Sequence, residues 1–342
     1  VSEGKIDAVG VARQFLTDGA WVTKLIEERE EDIKPCICCH NACFNFSSSK
    51  GHANTQDLSD TMGLARCALN PETMQSKKYH IVKADKVKNI AIIGGGIGGM
   101  ESALVCAKRG HNVTLYEKSD KLGGVFIAAA APSFKEKDKA LIAWYNREIK
   151  KYPITVKLNT EVTDVKSLNA DEVIIATGAT ARKLNVKGAE KAIEACEYLL
   201  GEKQVGENAV IVGGGLTGCE IGYDLYLQGK KPTIIEFQDD LITTKGICLA
   251  NTSYLRDFFK TNKVPVHLET KLASIEDGCV WAEDIKYGKQ FKIDADSVIM
   301  SVGYNPAPIA KKGSHIHIVG DADKVGNLRT VIWQAWDKAM KL

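Results

Sequence analysis

Excess charge of either sign is missing from this 342-residue chain. Its 45 basic and 43 acidic residues leave a formal +2, which removes the usual electrostatic grounds for a nucleic-acid or anionic-lipid partner. Also missing is any apolar run near the roughly 20 residues that cross a bilayer. The longest stretch, from Val125 to Ala131, stops at Pro132. No basic-then-apolar leader opens the sequence, and no low-complexity tract or long linker interrupts it. Ten cysteines are too few to staple a chain of this length. With 44% of its residues hydrophobic, the chain has core enough for about two domains without them. No nucleic acid, no membrane and a reducing cytoplasm are therefore the expected surroundings.

What is present is a repeat. Asn89-Ile-Ala-Ile-Ile-Gly-Gly-Gly-Ile-Gly-Gly-Met-Glu101 recurs 119 residues later as Asn208-Ala-Val-Ile-Val-Gly-Gly-Gly-Leu-Thr-Gly-Cys-Glu220. The same offset carries Gly110 onto Gly229, Thr114 onto Thr233 and Glu117 onto Glu236. Each copy is an apolar run, a glycine turn, a helical stretch ending at glycine and a second apolar run closing on glutamate: a β-α-β unit written twice. Gly94 and Gly213 allow the tight turn out of the strand. Gly96 and Gly215 let a pyrophosphate approach the backbone. Gly99 and Gly218 let helix and sheet pack closely. Glu117 and Glu236, each 23 residues after its first glycine, are placed to accept the hydroxyls of an adenosine ribose. Two dinucleotides are thus expected, each with its phosphates at a helix N-terminus.

Strand-like runs follow at Glu172 to Ala176, Val264 to Leu268 and Ser297 to Val302, and an alternating stretch from Leu272 to Ile293 suggests a meander. The terminal segment Leu328 to Leu342 spaces Val331, Ile332, Ala335, Trp336 and Ala339 as the buried face of a helix. Beyond Glu236 come Phe237, Gln238, Asp239 and Asp240, with no arginine to receive a 2′-phosphate. The second site is therefore read as an NADH site rather than an NADPH site, with Lys230 and Lys231 on a solvated turn.

Five cysteines crowd into the first fifth of the chain. Cys36, Cys39 and Cys43 have C-x2-C-x3-C spacing, and Cys67 follows after 23 intervening residues. Four such thiolates suit an iron–sulfur cluster, and they also suit a four-cysteine zinc site. The adjacent dinucleotide turns, a source of electrons, favour the cluster. Cys38 is a spare thiol. Cys106, Cys196, Cys219, Cys248 and Cys279 have scattered spacing and read as buried apolar residues. Asp7-Ala-Val-Gly-Val-Ala-Arg13 reads as a strand entering a loop, followed by a polar helix through Glu31. The sequence begins at Val1 and offers nothing earlier to pair with that strand. We therefore expect the C-terminal part of something larger, or a chain seated against a separate subunit.

Leu122-Gly-Gly124, Ala176-Thr-Gly178 and Val319-Gly-Asp321 make the first copy resemble the two-dinucleotide-domain flavoproteins, in which the first domain holds FAD. Lys34-Pro-Cys-Ile-Cys-Cys-His-Asn-Ala-Cys43, Cys67-Ala-Leu-Asn-Pro71 and the Arg-x-Phe-Leu-Thr-Asp18 segment narrow the resemblance. It is to the C-terminal part of the iron–sulfur flavoproteins of the 2,4-dienoyl-CoA reductase, 2-enoate reductase and trimethylamine dehydrogenase family, and Gly320-Asp-Ala-Asp-Lys-Val-Gly-Asn-Leu-Arg329 is similar to the enoate reductase branch.

The resemblance implies an α/β fold with an NADH domain inserted in an FAD domain, preceded by the end of a TIM barrel and an iron–sulfur loop. Residues 1–33 would close the barrel, 34–84 carry the cluster, 85–203 with 292–342 bind FAD, and 204–291 bind NADH. FAD contacts then fall on Gly94, Gly96, Gly99, Glu117, Gly124, Val162, Gly178 and Asp321. Arg13 would meet an FMN phosphate, and Cys36, Cys39, Cys43 and Cys67 would hold a 4Fe-4S cluster. The sequence departs from the family pattern at Ala12 and at Cys38, where glycine is usual. The loop from Phe44 to Arg66 is also longer than usual and expected to bulge. Electrons are expected to pass from NADH to FAD, the cluster and an FMN in the barrel, to reduce an activated C=C bond of an enoate or enoyl-CoA. The expected partners are the FMN barrel, in the same polypeptide or as a subunit, and a second copy in a homo-oligomer. No catalytic acid or base is identified. A disulfide reductase lacks its redox C-x-x-C here. An electron-transfer subunit for another partner and an ADP-binding module like trimethylamine dehydrogenase remain as alternatives.

Overall fold

The computed structural model describes residues 3–44, 64–244 and 247–342. The chain opens with two short helices, α1 (Arg13–Thr17) and α2 (Trp21–Ile26), and a turn of 3-10 helix at Glu30–Asp32. The strand expected over Asp7 to Arg13 is not formed, and the polar helix expected through Glu31 is broken in two. A β ladder needs a neighbour to take up its amides and carbonyls. Among the described residues none is paired with this segment, and Ile6 and Val9 are exposed. After α3 (Ser76–Tyr79) the first β-α-β unit begins.

That unit is β1 (Asn89–Ile93), α4 (Ile97–Arg109) and β2 (Asn112–Tyr116), followed by α5 (Phe126–Ala129), α6 (Glu136–Ile149), β3 (Ile154–Lys157), β4 (Glu172–Ile175) and β5 (Ala179–Ala181). The second comprises β6 (Ile193–Glu194), α7 (Ala195–Leu199), β7 (Asn208–Val212), α8 (Leu216–Leu227), β8 (Lys231–Ile235), α9 (Leu249–Thr261) and β9 (Val266–His267). The expected meander is β10 (Thr270–Glu276), β11 (Cys279–Asp284) and β12 (Gln290–Asp294), an antiparallel three-stranded sheet. The chain closes with β13 (Ser297–Met300), β14 (Tyr304–Pro306), β15 (Ile316–Ile318) and α10 (Leu328–Ala339). Among the described residues no helix is long and apolar enough to cross a membrane.

Two parallel five-stranded sheets result, ordered β15-β4-β1-β2-β3 and β6-β13-β7-β8-β9. Their registers coincide after the 119-residue offset: Asn89 faces Asn112, and Asn208 faces Lys231. The apolar runs Ile90–Ile93 and Ala209–Val212 are buried along their length, as central parallel strands covered on both faces must be.

This requirement corrects the expected 204–291 boundary. β7 needs a neighbour on each side, and β13 supplies one of them, with β6 beyond it. The second unit therefore takes strands from residue 193 through residue 300, and the short β5–β14 pair links it to the first. On the first unit α10 lies along α4, with its capping box at Asn327 and Thr330. Ile332, Ala335, Trp336 and Ala339 are buried there as expected, whereas Val331 is half-buried beside Gly98.

Candidate functional site

The two glycine turns divide their labour between folding and space. A Cβ on Gly99 would lie 1.8 Å from the Gly94 carbonyl oxygen, and one on Gly218 would lie 1.9 Å from that of Gly213. Gly94 and Gly213 themselves turn through φ of 106° and 108°, against the carbonyls of Ala176 and Ser301. The fold itself demands these four glycines. Gly96 and Gly215 are different. Their φ values of −72° and −67° suit any residue. A Cβ would come no nearer than 3.9 Å to anything at Gly96 and would meet nothing within 4 Å at Gly215. Neither backbone nor packing explains glycine there, but a group pressed against the chain at a helix N-terminus would. The residues present thus fit a dinucleotide at each turn.

The strand-end acids complete each turn. Glu117 accepts from the Gly95 amide at 2.6 Å through one oxygen and from the Ser119 amide and hydroxyl at 2.8 and 2.7 Å through the other. Glu236 accepts from the Gly214 amide and, at 2.8 Å, from that of Gln238. The Leu122-Gly-Gly124 segment folds back so that the Gly123 amide donates to the Gly95 carbonyl. Ile242 does the same to Gly214 in the second copy.

One cavity of about 2470 Å³ runs past both turns. Of the expected site residues, Gly94, Gly96, Glu117, Gly124, Val162, Gly178, Asp321, Gly213, Gly215, Glu236 and Cys39 line it. Gly99 and Gly218 sit behind it, in the helix–sheet contact. Burial pushes the Asp321 carboxyl up, against the Gly326 amide that it accepts. Arg13 is not on this cavity; it contacts His40 and lies within electrostatic reach of Cys38.

The cysteine segment borders the same space. Burial pushes the Cys39 thiol up to about 12, with Cys67, Cys43 and Cys36 adding to the effect, and Cys43 in turn feels Cys67 and Cys36. The other three expected thiols are thus within electrostatic reach of Cys39. Among the described residues no three His, Cys, Asp or Glu side chains converge tightly enough to grip a single metal ion. The Leu69 amide donates to Cys67 Sγ at 3.4 Å, and Thr17 Oγ1 lies 3.4 Å from the same sulfur. A thiolate ligand fits that arrangement. Cys38 has φ of 55°, a left-handed backbone that explains why glycine is usual at this position and that costs a side chain roughly 1–2 kcal/mol. Of the long loop from Phe44 to Arg66, residues 45–63 lie outside the described residues. Cys196, expected to be buried, instead reaches the cavity and bonds Tyr304 Oη at 3.2 Å; the other four scattered cysteines are buried as expected.

Sequence reasoning missed a set of charges. Lys135 Nζ pairs with Glu220 Oε1 at 2.6 Å, joining the first unit to α8 of the second. Lys34 pairs with Glu101 of α4 at 3.6 Å. The two glutamates occupy the same place in the repeat, and a polar residue retained at one helical position in both copies was the available signal.

Comparison with known proteins agrees with this architecture. The family described as "Pyridine nucleotide-disulphide oxidoreductase" matches over residues 50–169 and 88–324. All of this chain is 34% identical to half of cinnamate reductase from Clostridium sporogenes. It is 30% identical to 53% of an NADH oxidase from Thermoanaerobacter brockii. A solved structure of 2-naphthoyl-CoA reductase with 2-naphthoyl-CoA superposes with a TM-score of 0.88 and 25% identity, over all of this chain and 51% of that one. The chain spans about half the length of the curated relatives it matches.

Proposed function

Because this chain belongs to the pyridine nucleotide-disulphide oxidoreductase family, we propose that it is the electron-input half of an NADH-dependent flavin and iron–sulfur ene-reductase. The observation that carries the reading is the pair of unforced glycines, Gly96 and Gly215, opening on one cavity that also reaches the cysteine segment. Bound there, FAD and NADH would supply hydride and electron transfer, and a 4Fe-4S cluster would supply one-electron steps.

The first site is assigned to FAD. Gly94, Gly96 and Gly124 shape the bed for its pyrophosphate, with Gly99 supporting the turn from behind. Glu117 takes the adenosine ribose, Asp321 the ribityl chain, and Val162 and Gly178 line its walls. The second site is assigned to NADH, with Gly213, Gly215, Gly218 and Glu236 in the corresponding roles. Preference for NADH over NADPH is supported by Glu236 and the acids that follow it. Arg256, which the fold brings to this segment, is held by Asp240 at 2.9 Å and donates to the Leu241 carbonyl. Cys36, Cys39, Cys43 and Cys67 would hold the cluster. Arg13, which contacts His40 of the cysteine segment and does not line the cavity, is assigned to the phosphate of an FMN carried by a barrel portion. The substrate class proposed is an enoate or enoyl thioester, in keeping with the relatives named for cinnamate and 2-naphthoyl-CoA.

Rapid mixing of the anaerobic protein with NADH tests the order of events. Flavin absorbance should bleach first and cluster absorbance afterwards. Cluster reduction in protein stripped of flavin, or protein isolated without either chromophore, defeats the proposal. Values of kcat/KM at least about tenfold better with NADPH, roughly 1.4 kcal/mol, defeat the nucleotide assignment alone.

A further inference from the structure

Beneath the cysteine segment lies a buried cation that the phosphate turns do not require. Lys34 is 8% exposed and Glu101 only 2%. Burying a charge is costly unless it is paired and hydrogen-bonded, and here both conditions hold. The Lys34 ammonium lies 3.6 Å from Glu101 Oε2 and donates to the Leu69 carbonyl at 2.7 Å. It also sits 4.8 and 5.2 Å from the ring centres of Trp144 and Tyr145. The Tyr145 hydroxyl donates to the same Glu101 oxygen at 2.5 Å.

The connectivity gives this cluster its meaning. Lys34 stands two residues before Cys36, Leu69 stands two residues after Cys67, and Glu101 lies in the helix that opens from the first phosphate turn. One ammonium therefore ties both cysteine-bearing segments to α4. Gln14 reinforces the same segment, its amide bridging the Lys34 carbonyl and the Cys36 amide at 2.8 and 2.9 Å.

Resting on the reading of these thiols as cluster ligands, we propose that Lys34 and Glu101 form a buried charge pair that sets the cluster's reduction potential. Reduction adds one negative charge to a group in a low-dielectric setting. A fixed cation nearby stabilises the reduced form, and an anion behind it offsets part of that effect. Lys34 is thus a positioning and potential-setting residue rather than a catalytic one.

The test uses the full chain purified without oxygen. Iron per chain is counted, and the cluster's midpoint potential is measured by dye-mediated titration followed by electron paramagnetic resonance. Lys34→Met should move the potential to more negative values, Glu101→Gln to less negative values, and Lys34→Arg should stay with the parent. Opposite signs are not expected of a merely structural role. Both neutral variants moving the same way, or neither moving with iron in place, overturns the proposal. Should Lys34→Met be recovered without iron, Glu101→Gln and Lys34→Arg decide: an unmoved Glu101→Gln, or a Lys34→Arg displaced as far as Glu101→Gln, overturns it equally. Parent protein without iron is a separate outcome, which removes the cluster reading itself.

Discussion

In the first phosphate turn the glutamate of the opening helix, Glu101, reaches backwards to Lys34 and the cysteine segment. In the second, the equivalent Glu220 reaches Lys135 of the first unit. The turns themselves agree closely: a helical glycine with no room for a Cβ against a carbonyl, leucine over the middle glycine, and strand-end acid onto its amide. What is shared is what a dinucleotide and a tight β-α turn require. What differs is the neighbour that each unit must hold. One helical position, acidic in both copies, buried in the first and half-buried in the second, has become the docking point for whichever segment lies against it.

The largest effects should come from the shared glycines. Gly99→Ala and Gly218→Ala each drive a methyl into a backbone carbonyl that cannot swing aside. Each should destabilise its own unit by about 3 kcal/mol or more, at the upper end of overpacking costs. Thermal unfolding followed by circular dichroism checks this, and a variant melting with the parent would mean that the turn is looser than described. Gly96→Ala and Gly215→Ala should leave the melting curve within about 0.5 kcal/mol of the parent, as a compatible backbone and open space allow. Their effect should appear in binding. Gly96→Ala is expected to yield protein depleted of flavin. Gly215→Ala should keep flavin and lose about tenfold or more in NADH affinity, roughly 1.4 kcal/mol. An exchange of these two phenotypes would reverse the cofactor assignment of the copies.

The interdomain pair comes next. Burial pushes the Glu220 carboxyl up, and Lys135 holds it down. Lys135→Met removes that restraint and leaves the carboxylate in a part-buried site, at a cost of about 1–2 kcal/mol once its partial exposure is discounted. The sign of the pH dependence follows. A carboxyl raised in the folded state is penalised only where the unfolded chain is ionised, above about 4.5, the ordinary value for a glutamate. The deficit of Lys135→Met should therefore shrink in acid and grow towards neutrality. Adding Glu220→Gln should relieve it. Denaturant titrations at both ends of that range measure the difference.

Much of this comparison was legible in the sequence, and the reasons are physical. Gly94 and Gly99 announce themselves because a turn and a helix–sheet contact leave no room for a side chain. The 119-residue repeat then fixes the register of both sheets. β13 was misassigned to the first unit because a short apolar strand carries no label for its sheet; only the need of β7 for a second neighbour decides. The strand expected at Asp7 to Arg13 failed for the complementary reason: among the described residues no strand lies beside it to accept its bonds. Lys34 was in plain view beside Pro35, but its role depends on Glu101, Leu69 and Trp144, and no local pattern links residues that far apart. Arg256 likewise became visible beside the Glu236 segment only after α9 was placed.

The smallest expected effect lies at the start of one pair of equivalent strands, β4 and β13. β4 opens with Glu172 and the equivalent β13 with Ser297. Burial works to raise the Glu172 carboxyl, but Lys88 at 2.8 Å and His317 at 2.9 Å outweigh it, and the group is held below its ordinary 4.5. A carboxyl lowered by folding contributes stability that is present above the unfolded value and is lost as pH falls through the folded one. Glu172→Gln should therefore cost on the order of 1 kcal/mol at neutral pH and little in acid, so that its stability curve converges on that of the parent as pH falls through the lowered folded value. Ser297 Oγ accepts from the Gly206 amide at 2.9 Å and carries no charge. Ser297→Ala should impose a similar cost with no slope in the acid range. Parallel acid limbs for the two variants would show that the Lys88–Glu172–His317 cluster adds nothing the uncharged contact in the second sheet does not already supply.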